Sequence, residues 1–211
     1  MSDLFNIKNI SDALEGPLAD KIRPKSLDEV IGQNHLLGEE GPLQNMITSS
    51  VYSSIILWGP PGVGKTTIAR LLAENSGSHF EQLSAIFTGV GDLKKVFEAA
   101  KIRHTNGKKT IIFVDEIHRF NKSQQDSFLP FLEDGTIILI GATTENPSFE
   151  LNSAILSRVQ ILVLERLSTT DLTKLLERAE IILGSQINIC LLYTSDAADD
   201  SLRVDLGGRR I

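Results

Sequence analysis

The sequence predicts an α/β fold, a three-layer αβα domain built on a five-stranded parallel sheet. Three observations predict it. Short, strongly apolar runs alternate with stretches whose apolar residues recur at helical spacing, the pattern of parallel strands joined by crossover helices. A glycine-rich loop, Gly59-Pro60-Pro61-Gly62-Val63-Gly64, lies between one such run and one such helix. Another run, Ile111-Ile112-Phe113-Val114, ends in two adjacent carboxylates, Asp115 and Glu116.

In chain order, residues 1–16 are polar and uneven and are expected to be a flexible leader. Arg23-Pro24 interrupts the chain, and Ser26-Leu27-Asp28-Glu29 has capping-box form, predicting a short helix that carries Val30 and Ile31. Ser54 to Trp58 is the first strand. The helix after the glycine loop carries Ile68, Leu71 and Leu72 and stops at Asn75 to Gly77. His79 to Leu83 is a weak strand, and Leu93, Val96, Phe97 and Ala100 mark a helix preceded by Asp92. Asn106-Gly107-Lys108-Lys109 turns the chain into the β-branched strand Thr110 to Val114. Asn121 to Leu132 is expected as one helix kinked near its end by Pro130. Thr136 to Gly141 is a buried strand, Asn152 to Ser157 a short helix and Gln160 to Leu164 the last strand. At Ser168 and Asp171 a further capping box opens a helix with an apolar stripe of Leu172, Leu175, Leu176, Ala179 and Ile182, and no strand follows. The predicted organisation is a leader over 1–16, a core over 17–166 and the first part of a truncated helical lid over 167–189.

Residues 190–211 stand apart. Cys190-Leu191-Leu192-Tyr193-Thr194-Ser195-Asp196-Ala197-Ala198-Asp199 resembles the translation of a common transposon-end sequencing adapter, and Val204 to Ile211 resembles the adapter's next segment in the same frame. This tail is expected to be non-native, with the natural frame running on past Ile189. Cys190 is the one cysteine, so no disulfide or thiolate metal site is available to the rest. The net charge of −6 lends no support to nucleic-acid binding but does not exclude it, because such binding depends on a local basic face. No apolar run approaches the roughly 20 residues of a membrane span and no signal-peptide core precedes the domain. No membrane partner and a cytoplasmic location are therefore expected.

The loop supplies the chemistry. Gly59 to Gly64 followed by Lys65, Thr66 and Thr67 is a complete phosphate-binding motif in the strand-to-helix context it needs. Its glycines let successive backbone N–H groups curl around phosphate oxygens, and the helix N-terminus adds its dipole. Lys65 reaches the β- and γ-phosphates and the Thr66 hydroxyl binds Mg²⁺. At the tip of the 110–114 strand, Asp115 shares the metal with Thr66 and Glu116 polarises the attacking water. The cofactors called for are ATP and Mg²⁺, and the activity is ATP hydrolysis. His118 reads as a surface or structurally hydrogen-bonded residue, and His35, His79 and His104 show no ligand spacing. Lys94, Lys95, Lys101, Arg103, Lys108 and Lys109 read as a solvated helix and turn.

Longer segments carry a resemblance. Asp115 to Lys122 with Gln124-Gln125-Asp126, Pro17-Leu18-Ala19 with Arg23-Pro24, Ile31-Gly32-Gln33, and Ile140 to Phe149 are similar to the RarA/MgsA family of AAA+ ATPases, bacterial relatives of the Werner-helicase-interacting protein. The resemblance covers about residues 17–189 and implies a P-loop AAA+ domain. It implies that Thr144 is the first sensor, that Arg158 is an arginine finger acting on a neighbouring subunit's nucleotide, and that Arg23, Pro24, Val30 and Ile31 wrap the adenine. It further implies a homo-oligomer and action on single-stranded or forked DNA at stalled replication forks. Single-stranded-DNA-binding protein and the replisome are the implied partners, and association with the nucleoid the implied location. A clamp-loader-like or RuvB-like Holliday-junction ATPase is the alternative within the class. A nucleotide-binding module with little turnover is the alternative for the chain as it stands. Ile86 and Phe87 depart from the family's usually smaller residues.

Overall fold

The computed structural model describes residues 22–183; the leader, Pro17-Leu18-Ala19, residues 184–189 and the 190–211 tail lie outside the described residues. The chain divides into two compact units, one spanning Pro24–Arg166 and the other including Leu167 onward, and each is described by itself.

In the first unit, a 3-10 turn at Leu27–Glu29 is followed by helices α1 (Asn34–Leu37) and α2 (Pro42–Ser49) and strand β1 (Ile55–Trp58). Then come α3 (Lys65–Ser76), β2 (His79–Ser84), α4 (Val90–Thr105), β3 (Thr110–Asp115), α5 (Lys122–Asp126), α6 (Leu129–Glu133), β4 (Ile137–Thr143), α7 (Pro147–Glu150), α8 (Ser153–Leu156) and β5 (Gln160–Val163). The five strands form one sheet in the order β2-β3-β4-β1-β5, and every pairing is parallel. The predicted architecture is the one observed.

The continuous apolar strands follow from burial on both faces, because successive side chains point to opposite sides. Ile55, Leu57, Ile111 and Phe113 join Ile68 and Leu72 of α3 in one core cluster. Ile56, Ile112 and Val114 join Leu93 and Phe97 of α4, Phe128 and Ile155 in the other. Phe97 carries much of that second layer, lying edge-on to Phe128 with ring centroids 5.0 Å apart and stacked on Phe131 at 4.5 Å.

Three local expectations need correction. The turn at Leu27–Glu29 ends before Val30, and the Ser26 side chain makes no capping bond. The Glu29 carboxylate instead accepts from the backbone N–H of Lys25 at 3.1 Å, and Gly32 and Gln33, with φ of 78° and 60°, swing the chain left-handed out of any helix. The 121–132 stretch is two short helices rather than one. Pro130 has no N–H for the carbonyl of residue i−4 and its ring crowds that carbonyl. That carbonyl belongs to Asp126, where α5 ends, and Pro130 sits in the first turn of α6. Finally, α4 begins at Val90 with Gly89 as its N-cap, earlier than Asp92 indicated.

The second unit contributes helix α9 (Thr169–Leu183). Its capping box is formed: the Ser168 hydroxyl accepts from the Asp171 N–H at 3.2 Å and the Asp171 carboxylate accepts from the Ser168 N–H at 3.1 Å. The Ser168 hydroxyl, donating to the Asp171 carboxylate at 2.7 Å, and then the Ser168 backbone N–H hold that carboxyl below its usual range. Of the predicted stripe, Ala179 is buried and Leu172, Leu175 and Leu176 are half-buried. Among the described residues no helix is long and apolar enough to cross a membrane.

Candidate functional site

The C-terminal ends of β1, β3 and β4 meet at one edge of the sheet. Trp58 at the end of β1 is paired with Thr143 at the end of β4, and Val114 of β3 with Gly141. The loop 59–64, the carboxylates 115–116 and the hydroxyls 143–144 therefore converge because three strands stop together. In an open parallel sheet this edge is where ligands bind.

Within the loop the glycines serve two purposes. Gly62 and Gly64 have φ of 78° and 95°, and a Cβ on either would meet nothing within 4 Å, so they supply a left-handed backbone facing open space. Gly59 is needed for another reason: its Cβ would fall 2.5 Å from the carbonyl oxygen of Leu164, which closes over it from the end of β5. Val63, only 5% exposed, anchors the loop in the core. Among the described residues, no acceptor faces the backbone N–H groups from Gly62 to Thr67, the orphaned donors of a helix start.

Lys65 opens α3 and is buried, with Nζ donating to the carbonyl oxygens of Gly59 at 2.7 Å and Pro60 at 2.8 Å. The ammonium thus folds back over the loop that precedes it. Burial pushes its pKa below the usual lysine range, and the nearby Glu116 and Asp115 carboxylates oppose that shift. The orphaned donors, the cationic ammonium and the open glycine face all suit a triphosphate. A carboxylate at Asp115 with the half-buried Thr66 hydroxyl suits a hard divalent cation that keeps waters and phosphate oxygens as its other ligands.

Glu116 sits at φ 51°, ψ 47°, a left-handed conformation that costs a non-glycine residue about 1–3 kcal/mol. The turn Ile117–Arg119 begins there, with Arg119 N–H donating to the Glu116 carbonyl at 2.9 Å, so the carboxylate is turned back from the strand axis. The Thr144 hydroxyl donates to Glu116 Oε2 at 3.4 Å. Two residues absent from the sequence-based site also meet here. His118 Nδ1 lies 2.9 Å from Thr143 Oγ1 and 3.3 Å from Glu116 Oε2. The one available signal was the position of His118 in the turn after two carboxylates; its partner Thr143 comes from another strand, and only folding joins them.

Other expected residues lie elsewhere. Pro24, Val30 and Ile31 are half-buried in the segment whose Leu27–Glu29 turn packs on α3, and Val30 lies against the core. Arg23 belongs to the other compact unit. Arg158 is exposed and bound within its own chain, to Glu133 at 2.6 Å, to the Ala154 carbonyl at 2.8 Å and to the Ser157 hydroxyl at 2.9 Å. Among the described residues no cluster of three or more His, Cys, Asp or Glu forms a metal cage.

Comparison with known proteins identifies the family. Residues 55–167 match the family described as ATPase family associated with various cellular activities (AAA). The chain is 51% identical over 164 residues to Replication-associated recombination protein A of Haemophilus influenzae, covering 78% of this chain and 37% of that protein. It is 43% identical over 210 residues to ATPase WRNIP1 of Dictyostelium discoideum, covering 100% of this chain, the 190–211 stretch included, and 24% of that protein. Among solved structures, the RuvB Holliday junction branch migration motor of Thermotoga maritima superposes with a TM-score of 0.65 at 30% identity, covering 77% of this chain and 55% of that one. The chain thus spans little more than a third of the bacterial relative's length. With this family match running from the first strand through the last, over a sheet edge that gathers a phosphate loop, paired carboxylates and a polar strand tip, the chain belongs to the AAA family of ATPases.

Proposed function

We propose that this chain is the Mg²⁺-dependent ATP-hydrolysing part of a larger protein that acts on single-stranded or forked DNA at stalled replication forks. The observation that carries the hydrolytic reading is the hydrogen bond between Thr144 and Glu116 beside the buried Lys65. In this reading the 62–67 backbone N–H groups and Lys65 bind and orient the triphosphate, and Thr66 and Asp115 hold Mg²⁺. The metal, when bound, neutralises charge on the phosphates. Glu116 orients a water and takes up its proton, and Thr144 fixes the position of Glu116. Pro24, Val30 and Ile31 border the base in this reading. Residues 167–189 open a helical lid, a division supported by the boundary at Leu167. The likeness to Replication-associated recombination protein A supports a role in replication and recombination; single-stranded-DNA-binding protein and the replisome as partners, and a place in the nucleoid, belong to the same reading.

Glu116→Gln tests the hydrolytic reading. Binding of a fluorescent ATP analogue is expected to stay within about twofold while turnover falls by about 100-fold or more. Unchanged turnover would mean that another group orients the water. A second reading, a Holliday-junction motor, is favoured by the superposition on RuvB but ranks lower because identity there is 30%. Turnover stimulated by forked DNA but not by four-way junctions separates the two.

A further inference from the structure

The polar cluster behind Glu116 has a hydrogen count that places a hydrogen on His118 Nδ1. The Thr143 hydroxyl is fully buried, accepts from the Glu145 N–H at 3.1 Å and donates to the Glu145 carbonyl oxygen at 3.1 Å. Thr143 has one hydroxyl hydrogen, and giving it to Glu145 leaves its oxygen as acceptor toward His118 Nδ1, 2.9 Å away. The alternative tautomer, with bare Nδ1, would set a nitrogen lone pair 3.3 Å from the Glu116 carboxylate and strip Glu145 of its donor. A hydrogen on Nδ1 removes both faults, because it points at two acceptors. The imidazole is then a bridge between two strands, with Glu116 at the end of β3 and Thr143 at the end of β4. His118 is well shielded for such a role, its side chain 11% exposed against 28% for Glu116.

The carboxylate is also asymmetric. The contacts from His118 and from the Thr144 hydroxyl both fall on Oε2. Among the described residues Oε1 has no side-chain partner and remains for water. Glu116 sits on a strained left-handed backbone, so a second tether is what keeps it from relaxing out of place.

We infer that His118, as its Nδ1–H tautomer, is a positioning residue that ties the Glu116 carboxylate to the tip of β4, so that the water-orienting group and the Thr144 hydroxyl keep a fixed spacing. The inference rests on the reading of Glu116 as the water-orienting carboxylate. It makes His118 neither a metal ligand nor a proton carrier.

Two measurements test it. The first needs no turnover: long-range ¹H–¹⁵N correlation of the imidazole at alkaline pH, assigned with His118→Asn. Nδ1 is expected in the pyrrole-type shift range and Nε2 in the pyridine-type range, and the reverse assignment overturns the bridge. The second is single-turnover hydrolysis across ATP concentrations. His118→Ala is expected to lower the maximal rate by about 30-fold with the half-saturating ATP concentration within about twofold. His118→Asn, whose Nδ2 hydrogens fall near the Nδ1 position, is expected to restore the rate to within about threefold of the parent. A parental rate in His118→Ala while Glu116→Gln is inactive overturns the positioning role. A parental rate in both variants overturns the reading of Glu116 instead, and the tautomer still decides whether the bridge exists.

Discussion

Lys65 shows at the scale of one residue how burial sets chemistry. Its ammonium is removed from water, and that burial lowers its proton affinity, while the nearby Glu116 and Asp115 carboxylates oppose the shift. A bound triphosphate supplies negative charge and raises that affinity again. Between the two pKa values, binding takes up a proton, so affinity falls as pH rises. ATP affinity is therefore expected to drop on the alkaline side by up to about tenfold per pH unit, beginning below the range of an ordinary lysine. Titration of a fluorescent ATP analogue against pH reads this directly, and the slope should vanish in Lys65→Ala. This residue was legible in the sequence because its role depends on neighbours in the chain. The same holds for Gly62 and Gly64. It does not hold for Gly59, whose need for a missing side chain comes from Leu164, or for His118, whose partner comes from Thr143.

Elements are placed by side chains that imitate backbone. Gln125, 2% exposed, donates to the carbonyls of Phe120 at 3.0 Å and Glu150 at 3.1 Å and accepts from the Asn152 N–H at 2.8 Å. It thereby joins α5 to the segment around α7 and α8 that follows the 143–144 strand tip. Gln33 does the same for the segment after the Leu27–Glu29 turn, donating to the Glu165 carbonyl at 2.7 Å and accepting from the Glu165 N–H at 3.0 Å. Truncating Gln125 leaves three backbone groups without partners. Gln125→Ala is expected to cost about 2–3 kcal/mol, a fall in Tm on the order of 5–10 °C by calorimetry. Asn121→Ala, which removes only the α5 cap of 2.9 Å to Gln124, is expected to cost about 1 kcal/mol. The strands were legible because burial on both faces leaves an unbroken apolar record. The short helices were less so. Their limits depend on a proline acting four residues back, on glycines that reverse the chain, and on glutamines whose partners are distant in sequence. Gly141 belongs here too: a Cβ at that position would lie 2.5 Å from Ile56 and 3.0 Å from Ile117, so the glycine in β4 makes room for the turn that follows Glu116.

For the whole molecule the register of β5 decides what Arg158 can reach. Gln160 pairs with Ile55 at the start of β1, whereas the phosphate loop follows Trp58 at its end. At about 3.3 Å per residue, Arg158 lies roughly 15 Å or more from its own loop along the strand direction. An arginine side chain does not span that distance, and this one is already bound to Glu133 on the same edge. If Arg158 stabilises charge during hydrolysis, it must do so in another copy of the chain. Arg158→Ala is then expected to bind ATP normally and lose turnover by about 1,000-fold, while Glu133→Ala, which removes the ion pair and leaves the bonds to Ala154 and Ser157, stays near the parental rate. Mixing decides between the cis and trans arrangements. Arg158→Ala has an intact phosphate loop and no finger; Lys65→Ala has the finger and a crippled loop. Together at high protein concentration they should regain a measurable fraction of the parental rate, because some interfaces pair a good loop with a good finger. Dilution should remove the recovered activity along with the oligomer. Parental turnover in Arg158→Ala would place Arg158 outside the reaction, whereas a loss that no mixture restores would overturn the trans arrangement.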